Sequence, residues 1–231
     1  MAAQGYDITP AKNVIPVIKS LLEQFRQANY PIYFTREGHR PDLSTLSTRE
    51  HYRSRNNEKQ CGIGDLGPLG RLLIRGEPGH DIIESLRPLE NEHIIDKPGR
   101  GAFAHTELML MLTIKGVKNL VICGVTTDVC VTSTMREAND RGYDCVLVSD
   151  ACAAGEEALH KAAVQTIKEE GGIFGSVTTA QDILHVLDPG KIQLPPQYNP
   201  HPRSDKWEAP AHKVLPRGST DGSDDEMNHR Q

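Results

Sequence analysis

From residue 92 onward the chain alternates short apolar runs with longer amphipathic ones, and that alternation leaves few folds open. Residues 92–96, 120–124, 145–149 and 173–177 read as strands, while 106–115, 128–141, 156–170 and 180–187 read as helices. Strand and helix repeated at this spacing imply βαβ units, hence a mainly parallel sheet with helices on both faces. Ligands of such sheets bind at the carboxyl ends of the strands. That edge is where chemistry should be sought.

Upstream, Val14, Val17, Ile18, Leu21, Leu22 and Phe25 recur at helical spacing over residues 13–28, with Pro16 tolerable in the first turn. A short strand at 32–35 follows. Residues 36–79 are polar and rich in Arg, Gly and Pro, a length that implies a functional loop or minor structure of its own. The last 44 residues, 188–231, hold seven of the fifteen prolines and an acidic run at 221–226. Such a stretch buries too little apolar surface to offset its ordering entropy, so a disordered tail is expected after a domain at 5–187. The lone Trp207 in that tail reads as solvated or as a transient anchor.

Composition narrows the function. A net charge of −5 and the lack of a basic cluster with interleaved aromatics argue against nucleic-acid binding. No apolar stretch nears the roughly 20 residues of a membrane span. Five cysteines without a C-x-x-C pair or signal peptide read as reduced thiols of a cytoplasmic protein. Gly62, Gly64, Gly67 and Gly70 lie in a polar loop and not between a strand and a helix, which weakens any nucleotide-binding reading. His39, Asp42 and His51 carry metal-ligating atoms, but nothing fixes their spacing, and solvated surface histidines are the simpler reading.

Cys130 stands out among the thiols. The run Asn119 to Val125 is apolar and β-branched, as in a strand covered on both faces, and Thr127 and Asp128 are N-cap types. Cys130 then falls in the first helical turn, where free amides and the dipole favour a thiolate and could receive an oxyanion. The plain alternative is a small core residue. Lys97 closes the strand before Pro98-Gly99 and should emerge at the same sheet edge. A cation there favours the thiolate. Its plain alternative is a surface lysine paired with Asp96 or Asp150.

Four runs now carry a resemblance: Val125-Thr126-Thr127-Asp128-Val129-Cys130, residues 136–143, Asp96-Lys97-Pro98-Gly99 and Gly171-Gly172-Ile173-Phe174-Gly175. They resemble the isochorismatase-like cysteine hydrolases, and residues 35–43 with 62–65 look most like the biuret and ureide amidohydrolases within that superfamily. The resemblance covers about Gly5 to Leu187. It implies a three-layer α-β-α Rossmann-like domain and an Asp, Lys and Cys triad with no metal or organic cofactor. Cys130 would attack an amide or ureide carbonyl to give a thioester, and Lys97 would steady the charge. A cis peptide between Val125 and Thr126 would let the Thr126 and Cys130 N–H groups form an oxyanion hole. A homodimer or homotetramer is implied as well.

Two departures from the family pattern matter. The family acid ends a first, central strand, and nothing upstream of Gly5-Tyr6-Asp7 matches it; Asp7 precedes a helix and does not fit the motif. The expectation is therefore a sheet lacking its central strand, little turnover, and a sequence shortened from a longer functional chain. The rival is a noncatalytic homologue that fills the gap another way, and an isochorismate-type vinyl-ether hydrolase is the family-level alternative. The second departure is Glu170, where biuret hydrolases carry a substrate-binding Gln. A carboxylate accepts but cannot donate, which favours a substrate richer in N–H groups, though a solvated helix-surface charge fits equally.

Overall fold

The computed structural model describes residues 2–187, and the expected disordered tail at 188–231 lies outside them. A short helix α1 (Thr9–Asn13) leads into α2 (Ile15–Gln27), with Pro in the first turn of each. Strand β1 (Tyr33–Glu37) follows. The polar stretch carries α3 (Thr48–Arg53), whose N-cap Ser47 accepts the Glu50 N–H, and an antiparallel pair β2 (Leu66–Gly67) and β3 (Gly70–Arg71). Then come β4 (His93–Lys97), α4 (Leu108–Ile114) and β5 (Asn119–Val125). One π turn, Thr127–Val131, runs into α5 (Thr132–Asp140). Strand β6 (Asp144–Ala153), α6 (Glu157–Lys168), β7 (Ser176–Thr178) and α7 (Ala180–Val186) complete the alternation.

The main strands pair in parallel, but in two pieces. β1 pairs with β4, and β5, β6 and β7 form a second ladder in that order. Among the described residues no ladder joins the pieces. The reading of residues 119–125 as covered on both faces needs correction. β5 is an edge strand, and Val121 and Val125 are about two-fifths exposed, at 39% and 43%. An unpaired neighbour leaves both backbone and side chains uncovered.

Helices cover the second ladder on both faces. Cys145 and Leu147 of β6 face one side with Leu112 of α4, Met135 of α5 and Ile167 of α6. Val148 faces the other side with Leu21 of α2 and Ala180 of α7. The period-two alternation of β6 thus feeds both cores of a three-layer α/β domain. Burying a side chain such as Leu21 contributes roughly 1.5–3 kcal/mol. Ile95 brings β4 into the first cluster, so the two strand pieces share one core.

β6 runs four residues past its expected end. After a register shift between Ile122 and Gly124, Gly124 and Val125 pair again with Cys152 and Ala153. The Asp150 carboxylate, one residue past the expected strand end, accepts the Ala180 N–H at 2.8 Å. β7 conversely starts three residues late, because Gly172 and Gly175 hold φ values of 95° and 124° that break the extended run.

Gly175 has no room for a side chain. A Cβ there would sit 2.2 Å from the Cys145 carbonyl oxygen and 2.9 Å from the Met135 methyl. Gly175→Ala should therefore destabilise the fold by more than about 1 kcal/mol in urea denaturation. An unchanged midpoint would show that this close approach does not matter.

Candidate active site

The parallel register sets Glu37 opposite Lys97, so both side chains leave the same sheet face at the strands' carboxyl ends. Cys130 arrives from the other ladder. β5 ends at Val125, the Val125–Thr126 peptide is cis, and the Val131 N–H donates to the Thr126 carbonyl at 3.1 Å to close the π turn. Thr127 is fully buried, and its hydroxyl lies 2.9 Å from Nδ1 of His160, tying the turn to α6. The Cys130 carbonyl accepts from the Thr134 hydroxyl at 2.8 Å.

These elements bring three groups together. Lys97 is 2% exposed; its Nζ donates to the Gly99 carbonyl at 2.9 Å and lies 3.6 Å from the Cys130 sulfur. The Glu37 Oε2 lies 3.8 Å from Lys97 Nζ and 3.9 Å from Cys130 Sγ. Arg100 extends the cluster, 3.9 Å from Glu37 and in direct contact with Glu50, which also accepts from Arg53 at 2.8 Å. Burial opposes the Arg100 charge, yet Glu50, Glu37 and Cys130 hold its pKa above the ordinary arginine value. Burial likewise raises the Glu50 carboxyl, but hydrogen bonds from Arg100 and Arg53 outweigh it and leave the pKa lowered. The half-buried thiol thus has one buried ammonium, one carboxylate and a nearby guanidinium around it.

Cys130 and Lys97 meet as the sequence suggests, and Lys97 is not the surface partner of Asp96 that its plain reading offered. Asp96 pairs with Arg36 at 2.6 Å instead. Thr126 stands beside the π turn with its side chain half-buried. Glu170 is not brought in: it is exposed, takes a left-handed φ of 52° after α6, and no described contact links it to Cys130 or Lys97. Asp7 is exposed and accepts the Thr9 N–H at 2.8 Å, which lowers its pKa. His39 is corrected from surface to interior. It is 1% exposed with Nδ1 3.0 Å from the Thr45 carbonyl, while Asp42 accepts from Ser44 nearby. Among the described residues no group of three or more His, Cys, Asp or Glu is placed to hold a metal.

Glu37 and Arg100 are not legible as site residues in the sequence, where the strand reads as ending at Thr35 and Glu37 falls in the polar stretch. The signal that could have found it is the parallel pairing itself, since a strand neighbouring 93–97 places its own end beside Lys97.

Comparison with known proteins now decides the family. The Isochorismatase domain profile matches residues 2–182. The chain belongs to the isochorismatase family. The ureidoacrylate amidohydrolase of Azorhizobium caulinodans is 28% identical over 198 residues, covering 84% of this chain and 83% of that one. The ureidoacrylate amidohydrolase of Pantoea ananatis is 30% identical over 176 residues, covering 75% and 70%. The crystal structure of a cysteine hydrolase from Pseudomonas syringae pv. phaseolicola superposes with a TM-score of 0.66 at 25% identity, covering 78% of this chain and 82% of that one. The isochorismatase-like α/β fold is thereby shown, in a family that includes amidohydrolases. Among the described residues no helix is long and apolar enough to cross a membrane.

The other core cysteines differ from Cys130 in their surroundings. Burial pushes the Cys123 and Cys145 thiols up to about 11 and raises Cys152 further. At pH 8 those three stay protonated and unreactive. Limited iodoacetamide treatment followed by peptide mapping should label Cys130 and leave Cys123, Cys145 and Cys152 unmodified. Labelling of the three at the rate of Cys130 would contradict this picture.

Proposed function

We propose that this isochorismatase-family protein hydrolyses a C–N bond in a small amide or ureide through a thioester on Cys130. The observation that carries the reading is the 3.6 Å approach of the buried Lys97 ammonium to the Cys130 sulfur. Similarity to ureidoacrylate amidohydrolases supports the substrate class. Lys97 steadies the negative charge that develops as the sulfur attacks. The Thr126 and Cys130 N–H groups receive the carbonyl oxygen as it becomes an oxyanion. An amine or ammonia leaves, and water then cleaves the thioester. The reaction calls for no metal or organic cofactor, and the family resemblance makes a homodimer or homotetramer the working assembly.

Ammonia or amine release from biuret, ureidoacrylate and N-carbamoylsarcosine tests the proposal. Cys130→Ala should abolish it, and Lys97→Met should lower kcat/KM by roughly 10²-fold or more, the usual scale for losing an electrostatic stabiliser. Release that survives in Cys130→Ala would end the thioester reading.

Glu170 is proposed to set substrate choice on the family resemblance alone, since no described contact links it to Cys130 or Lys97: its carboxylate accepts N–H groups where an amide would also donate. Glu170→Gln should change the ratio of kcat/KM for biuret to that for ureidoacrylate. An unchanged ratio would leave Glu170 as solvated surface charge.

A further inference from the structure

We propose that Glu37 is the proton-transferring residue of this site, taking the thiol proton of Cys130 and delivering it to the departing nitrogen. This rests on Cys130 being the nucleophile. The motivating geometry is a closed triangle, with Glu37 Oε2 3.9 Å from Cys130 Sγ and 3.8 Å from Lys97 Nζ, and Lys97 Nζ 3.6 Å from the sulfur. Catalytic hydrogen bonds are commonly long before substrate binds and tighten afterward. The Glu37 side chain is only 13% exposed, so its contacts are with protein groups and not bulk water. Its position is fixed twice over. β1 pairs residue by residue with β4 up to Glu37 and Lys97, and the Gly38 N–H continues the pairing by donating to the Lys97 carbonyl at 2.9 Å.

The chemistry balances with this one carboxylate. As Cys130 Sγ bonds to the carbonyl carbon, its proton passes to the Glu37 carboxylate. When the tetrahedral adduct collapses, the C–N bond breaks, the protonated Glu37 gives that proton to the nitrogen, and ammonia or an amine leaves. Water then attacks the thioester carbon while Glu37 takes one of its protons. The C–S bond breaks, the acid is released, and the proton returns to the sulfur. No second proton donor or acceptor is needed.

The charged neighbours favour such a role. Glu37 faces Lys97 from β4 and Arg100 from the segment after it, Arg100 is tied to Glu50 of α3, and Asp128 lies in the same π turn as Cys130. Two cations thus face the Glu37 carboxylate within 4 Å, at 3.8 Å and 3.9 Å. A carboxylate beside a thiol also disfavours a second negative charge and accepts a hydrogen bond from the neutral thiol. At 3.9 Å the two groups interact directly.

That coupling can be read without knowing the natural substrate. The rate of Cys130 alkylation by iodoacetamide, followed by peptide mass from pH 4 to 10, should shift its midpoint downward by about half a pH unit or more in Glu37→Gln. Glu37→Asp, which keeps the acid, should restore most of the wild-type profile. With p-nitrophenyl acetate, whose leaving group departs without a proton, Glu37→Gln should slow Cys130 acylation by no more than about tenfold, because only its part in taking the thiol proton is lost. With biuret or ureidoacrylate the same variant should lose roughly 10²-fold or more. A Cys130 that acylates normally, with a midpoint unmoved by Glu37→Gln, overturns the role of Glu37 alone. A Cys130 that neither alkylates nor acylates in wild type overturns the nucleophile reading itself. Should Glu37→Gln fail to fold by circular dichroism, the wild-type profile decides: two coupled ionisations support the role, and one simple ionisation refutes it.

Discussion

The pairing of β1 on β4 that ends with Glu37 beside Lys97 is the constraint on which the site depends. Parallel strands in register send facing residues to the same side, so opposite charges emerge together at the carboxyl edge. The Cys130 turn hangs from the other ladder, and no backbone pairing among the described residues connects the two. The site therefore spans a break in the sheet. What bridges it there is side-chain electrostatics above, and the shared core that Ile95 joins below.

Burying an ammonium as deeply as that of Lys97 costs several kcal/mol unless partners repay the lost hydration. The Gly99 carbonyl and Glu37 supply that compensation, and the Cys130 sulfur is the third group within reach. The cluster then continues through Arg100 to Glu50 and Arg53 on α3. The polar stretch that sequence reads as a functional loop or minor structure is thus tied to the chemistry: α3, capped by Ser47, anchors the outer end of the charge network.

Much of the fold was legible because periodicity reports burial directly. The alternation after residue 92, the apolar face of α2 and the placement of Cys130 and Lys97 at element boundaries all follow from local pattern. What pattern could not show was pairing. Arg36 and Glu37 read as loop because they are charged, yet β4 extends β1 through both of them. Ser149 and Asp150 read as a strand end, yet β5 resumes its register beyond the bulge at Gly124 and carries β6 to Ala153. Val121 and Val125 read as doubly covered, but their exposure depends on which strand lies alongside. His39 read as surface because its sequence neighbours are polar, while the fold closes over it. In each case the deciding fact lies in tertiary contacts between distant segments. Glu37 is a case of the same kind: it sits 93 residues before Cys130, register sets it beside Lys97, and the core that Ile95 shares with the other ladder holds the two strand pieces together.

The most direct test is acid-quenched intact mass spectrometry of the full chain mixed with biuret, ureidoacrylate or N-carbamoylsarcosine. A transient covalent adduct that matches the acyl portion of the substrate and maps to Cys130 is expected. Substrate hydrolysis without any adduct on Cys130, or no adduct there with all three compounds, would contradict it.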